Sequence, residues 1–140
     1  MTPLALLADE IAARDVVLGY ARAVDGKDLD AVARCFVPDC AYEGTLGSGT
    51  IADALPRLRG AFDRYTRTMH FMGTQAVTLA GDTADVVTYC IAFHVRTDGR
   101  HATVAVRYLD TLARTPDGWR IARRVVRTDW TRDDPPAPPA

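Results

Sequence analysis

Lysine is nearly missing from this chain: Lys27 is the one basic residue among 17 that is not an arginine. Excess charge is missing too, the formal balance being −1 with a pI near 6.3. No basic surface is therefore available to recruit nucleic acid or an anionic membrane. Cysteine is scarce, with Cys35, Cys40 and Cys90 an odd number without a close Cys-x-x-Cys spacing. That argues for reduced, buried thiols in a cytosolic protein and against a disulfide framework. Nothing resembles a basic n-region followed by an apolar h-region, and no apolar run approaches the length of a membrane span. The expectation is a cytoplasmic protein. Arginine in place of lysine, with much Ala, Val and Asp, reads as a high-GC bacterial coding bias.

What is present is an ordinary globular composition, 48% hydrophobic and 25% charged over 140 residues, enough for one domain with a single core. Residues 4–25 read as a helix, with Leu7, Ile11, Val17, Leu18, Ala21 and Val24 at three- and four-residue spacings. Asp25 prolongs that stripe and Gly26 is placed to end it. Asp28 can cap a short second helix carrying Leu29, Val32 and Phe36. A short strand near residues 40–43 and a glycine-rich flexible stretch over 44–49 precede a third helix from Ile51 to about Tyr65.

From Thr68 the period becomes two. Strands are expected over 68–79, 83–96, 101–114 and 118–130, separated by Gly81-Asp82, Asp98-Gly99 and Pro116-Asp117-Gly118. The fold class is α+β: N-terminal helices packed on one face of a curved antiparallel sheet. The domain is set at residues 1–132, and the proline-rich remainder, 133–140, is expected to be disordered.

Strand 83–96 has two unlike faces. Val87, Tyr89, Ile91, Phe93 and Val95 are bulky, and this face is expected to be covered by a second copy of the chain in a homodimer. Ala84, Val86, Thr88, Cys90, Ala92 and His94 form a face of mostly small side chains, which leaves room for a pocket beneath the helices. His70 lies in a second apolar strand, within Thr68-Met69-His70-Phe71-Met72-Gly73. Either histidine alone is ordinarily a satisfied structural residue, and Asp25 alone an ordinary helix-end residue. Together they suggest general acid/base chemistry, because a carboxylate bonded to an imidazole fixes its tautomer and readies it as a base. His101, after a hairpin turn, is expected in solvent. Tyr20 and Tyr42 are candidates to hold a substrate oxygen, with Val24, Thr88 and Cys90 as further pocket residues. Arg107 needs a counterion, which Asp129 or Asp110 could supply. Two histidines and an aspartate could in principle bind a metal, but their spacing is not that of metal ligands, and no metal or cofactor is expected.

These segments resemble a known family. Tyr20-Ala-Arg-Ala-Val-Asp25-Gly-Lys-Asp28-Leu, Thr68-Met-His70-Phe-Met-Gly73 and His94, with Val106-Arg-Tyr-Leu-Asp110, Gly118-Trp-Arg-Ile121 and Asp129-Trp130, are similar to the SnoaL-like branch of the nuclear transport factor 2-like superfamily. The resemblance covers residues 6–132 and implies that superfamily's cone-shaped fold. Within it the enzyme pattern looks like scytalone dehydratase, whose aspartate falls on Asp25 and whose two histidines fall on His70 and His94. The family's substrate-holding tyrosines fall on Val24 and near Gly44, two residues from Tyr42, and its late asparagine falls near Arg127. The implied activity is a cofactor-independent dehydratase, isomerase or cyclase acting on a small, mostly apolar carbonyl or polyketide-like compound. The alternative is a non-catalytic small-molecule binding or dimerisation module of the same fold.

Overall fold

The computed structural model describes residues 1–136 and 138. Helix α1 spans Pro3–Asp25, started by Thr2, whose hydroxyl accepts the Ala5 N–H at 3.1 Å, and by a proline where no N–H is needed. Gly26 caps its far end in a right-handed conformation. The left-handed residue of the turn is Lys27, at φ 52°, whose ammonium donates to the Tyr65 carbonyl at 2.6 Å. This contact ties the end of α1 to the strand that carries His70.

Helix α2 (Leu29–Arg34) is capped by the Asp28 carboxylate, which accepts the Ala31 N–H at 3.0 Å. Strand β1 (Phe36–Gly44) turns back into β2 (Gly47–Thr50), so the glycine-rich stretch read as flexible is largely a hairpin. Helix α3 (Ile51–Arg64) opens with a capping box. The Asp53 N–H donates to the Thr50 hydroxyl, while the Asp53 carboxylate accepts the Thr50 N–H. Strands β3 (Tyr65–Ala80), β4 (Thr83–Arg96), β5 (His101–Thr115) and β6 (Gly118–Asp134) form the antiparallel meander.

The six strands lie in the order β2-β1-β6-β5-β4-β3. The sheet is mixed where the sequence suggested an antiparallel one, because β1 runs parallel to β6. Period-two patterning shows that a strand exists but says nothing of its direction relative to a distant neighbour. Strand β6 also continues to Asp134, where Ala102↔Asp133 and His101↔Asp134 pair, two residues past the expected boundary at 132. The expected tail disorder falls partly on residues 137, 139 and 140, which lie outside the described ones.

The core lies between the helices and the concave face of the sheet. Ala13, Val17, Tyr20 and Val24 of α1 meet Ala84, Val86, Cys90 and Ala92 of β4 together with Tyr108, Leu112 and Ile121. The small-residue and bulky faces of β4 divide as expected. The helical stripe does not extend as far as its period suggested. Leu7 and Ile11 are 52% and 50% exposed: in these turns it is Asp9, between them, that faces the sheet and bonds to Arg114 and Trp119, which leaves both on the outer side of the helix.

Candidate active site

Asp25 sits at the last position of α1 and meets β3, an edge strand whose outer N–H groups have no strand partner. Its Oδ2 accepts the His70 backbone N–H at 2.9 Å. Its Oδ1 accepts the Thr68 hydroxyl at 2.8 Å and lies 2.7 Å from His70 Nδ1. One carboxylate therefore satisfies three donors and fills part of an open strand edge. A carboxylate only accepts, so the His70 proton sits on Nδ1 and Nε2 presents a lone pair. The His70 side chain is 9% exposed and that of Asp25 27%. Burial alone would push the Asp25 carboxyl up, yet the hydrogen bonds from the His70 ring, the His70 backbone and Thr68 outweigh it and hold it below the usual aspartate value.

His94 faces Thr68 directly across the β3–β4 ladder, and His70 faces Ala92 two residues away. This diagonal relation brings the two imidazoles to 5.9 Å, centroid to centroid, nearly perpendicular. His94 Nδ1 is 3.3 Å from the Ala102 carbonyl on β5, which can only accept; its Nε2 is thus the free lone pair as well. Burial and the nearby His70 both lower the His94 pKa, so His94 is neutral at pH 7. The Tyr65 ring rests on it at 4.8 Å.

Tyr65, Thr68, His70 and His94 line a cavity of about 210 Å³ between α1, α3 and the concave sheet. Its wall is mostly apolar, with Val24, Leu46, Leu58, Phe62, Val104 and Val126. Tyr20, Tyr42 and Tyr108 add phenols, and Thr45, Thr68 and Arg64 complete the polar set. Burial pushes the Tyr20 phenol up to about 12 and that of Tyr108 well above its usual value, so both are proton-bearing hydrogen-bond donors.

Of the residues singled out from sequence, Asp25, His70 and His94 come together, and Tyr20, Val24 and Tyr42 border the same space. Thr88 and Cys90 do not. They share the face of His94 but lie further along β4, where α1 packs down and fills the volume. Thr88 is fully buried, accepting from the Gln75 amide at 3.1 Å, and burial pushes the Cys90 thiol up to about 11. Thr68, Tyr65 and Phe62 were not assigned to the site from sequence. Thr68 could have been, since it shares the strand parity of His70. His101 is exposed, and Arg107 pairs with Asp129 at 2.9 Å. Among the described residues no group of three or more His, Cys, Asp and Glu side chains is arranged to hold a metal ion, and no helix is long and apolar enough to cross a membrane.

Comparison with known proteins places this geometry in a family. An uncharacterised protein of Mycobacterium tuberculosis is 31% identical over 134 residues, spanning 89% of this chain and 88% of its own. A solved structure from Novosphingobium aromaticivorans, named as a candidate aromatic ring hydroxylase, superposes with a TM-score of 0.86 at 29% identity over 96% of both chains. Another from the same organism, named as a candidate scytalone dehydratase, gives 0.85 at 23% identity over 91% of this chain and 89% of that one. The two names describe different chemistries on one fold. The profile of the SnoaL-like domain matches residues 5–125, and on that match the chain belongs to the SnoaL-like domain family, built on the nuclear transport factor 2-like cone.

Proposed function

We propose that this protein is a cofactor-independent acid/base enzyme, a dehydratase, isomerase or cyclase of a small, mostly apolar carbonyl compound. The observation that carries the reading is the 2.7 Å contact between Asp25 and His70 Nδ1 at the wall of an apolar cavity. The dyad leaves His70 Nε2 as a base facing a substrate, and the Asp25 carboxylate stabilises the imidazolium that forms when a C–H proton alpha to the carbonyl is taken. A base so placed contributes about 10²–10⁴-fold. Tyr20, Tyr42 or Tyr108 can donate to the carbonyl oxygen, where negative charge develops.

The tautomers refine the part played by His94. Neutral and bonded through Nδ1 to a carbonyl, it enters the cycle as a hydrogen-bond acceptor that orients a substrate hydroxyl, not as the acid. The acid is then His70 itself, which returns its newly gained proton to the leaving hydroxyl or to another carbon of the enolate. A dehydratase and an isomerase differ here only in where that proton goes.

The test is exchange of alpha protons for deuterium, followed by NMR, across a panel of small cyclic and aryl ketones. Wild type is expected to catalyse exchange on at least one member. Asp25→Asn and His70→Ala should each abolish it while keeping the folded circular dichroism spectrum. Full activity in both variants would overturn the reading in favour of a non-catalytic binder.

The assembly belongs to the same proposal. Met69, Phe71, Tyr89, Ile91 and Phe93 stand exposed on the convex face of β3 and β4, with Phe71 at 65%. A second copy of the chain is the proposed cover, since a patch of this kind is rarely left open on a monomer. Sedimentation should give a dimer at micromolar concentration; a monomer there would refute it.

A further inference from the structure

The cavity is lined by one permanent charge. Arg64, the last residue of α3, borders it, and its side chain makes no ion pair or hydrogen bond among the described residues. Arg57, another exposed arginine of α3, is differently placed. Arg57 donates to the Leu46 carbonyl at 2.6 Å and so fastens the β1–β2 turn to α3. Arg64 is held from behind, its carbonyl accepting the Thr97 N–H at 3.1 Å, and it immediately precedes Tyr65, whose ring covers His94. Arg64 thus borders the cavity as an exposed residue with no side-chain partner among the described residues, while its backbone is anchored beside Tyr65.

Among the described residues no Asp or Glu lines the cavity, and Asp25, which meets His70, has its carboxylate already taken up by three donors from Thr68 and His70. An arginine has five donors in a planar fork that matches a carboxylate. Left unpaired at the rim of an apolar hollow, it offers a place for an anionic group on the incoming molecule. An uncharged substrate would leave that fork to water alone.

We propose that the ligand of this cavity is an amphiphilic small acid: an apolar ring system lying against Val24, Leu58 and Phe62, with a carboxylate engaging Arg64 at the mouth. The inference rests on the cavity being the ligand site of the proposed enzyme, and it names the substrate class. The carboxylate lies at the solvent end, remote from the carbon deprotonated at His70, since a negative charge beside a forming carbanion would oppose it and Asp25 stands behind that histidine.

The experiment compares phenylacetate with phenylacetamide, which have nearly the same shape and differ in charge, by calorimetric titration at pH 8 and low salt. Wild type should bind the acid about five- to tenfold tighter than the amide, the range of a partly exposed charge-assisted pair. Arg64→Ala should bring the two within about twofold and Arg64→Lys should fall between. Arg123→Ala, an exposed arginine on β6 outside the cavity, should keep the wild-type ratio. The titration needs no turnover, which separates ligand selection from the acid/base reading: exchange activity can fail while the preference stands, and the reverse. Equal binding of acid and amide to wild type, a preference that survives Arg64→Ala, a preference lost in Arg123→Ala, or no binding of phenylacetate at millimolar concentration would each overturn the inference.

Discussion

Two of the carboxylates that hold a basic partner in this protein, Asp110 and Asp25, differ in a way that separates scaffold from site. Asp110 grips Arg124 through two hydrogen bonds, at 2.7 and 2.8 Å, with both side chains fully buried. Tyr20 and Tyr108 lie against the guanidinium at 4.1 and 4.3 Å, and Phe36 at 5.3 Å. One guanidinium nitrogen, Nη1, is buried without a hydrogen-bond partner. Asp25 and His70 are as close, but the His70 ring borders a cavity, where a ligand can reach it. Burial opposes the charge on Arg124, yet Asp110 overrides it and raises the pKa still further above an already high value, so the guanidinium keeps its charge. A sealed pair with a fixed charge can only hold the structure together. An accessible pair with a movable proton can also do chemistry.

The sharpest way to break the comparison is to remove one partner from each pair. Arg124→Leu leaves the Asp110 charge buried and alone, and should cost about 3–5 kcal/mol in urea unfolding. Arg124→Leu combined with Asp110→Leu should recover most of that loss, because a well-packed apolar pair often equals a buried ion pair. Asp25→Asn should do the opposite: alpha-proton exchange should fall by about 10²–10⁴-fold, with stability down by only about 1–2 kcal/mol.

Smaller effects sharpen the account. Thr68→Val keeps the shape and deletes one of the three donors to Asp25, and should cost about 1 kcal/mol, with exchange reduced less than in Asp25→Asn. The smallest effect is a pH dependence. The folded His94 has a lowered pKa, so the unfolded chain binds its proton more readily. The stability this group contributes is complete above its unfolded pKa of about 6.5 and is lost as pH falls through the folded value. Asp25, also lowered, adds a second loss of the same sign below its ordinary value of 3.8. Unfolding measured from pH 8 to pH 5 should therefore show a decline that is reduced in His94→Phe.

Much of this was legible in the residues. The stripe that delivers Asp25, the shared parity of Thr68 and His70 and the small-residue face ending in His94 are local patterns, and they place the dyad and its cavity on the concave side. The buried arginine was not legible. Strict alternation from Trp119 and Ile121 would point Arg123 inward, but the ladder slips between Thr111 and Leu112, pairing Leu112 with Ile121 and Thr111 with Arg123. That bulge reverses the parity, so Arg124 faces the core and Arg123 faces solvent. A similar slip between Met72 and Gln75 reverses β3 beyond the site.

Sequence alone determined which segments are helix and strand apart from β2, which side chains share a face and which three ionisable groups could meet, because these follow from periodicities of 3.6 and 2 that each segment carries within itself. Tertiary structure decided the parallel pairing of β1 with β6, the bulge that buries Arg124, the exposure of Leu7 and Ile11, and the filling of the space beside Thr88 and Cys90. Each of those depends on what a distant segment lays against the residue, and no local period encodes that.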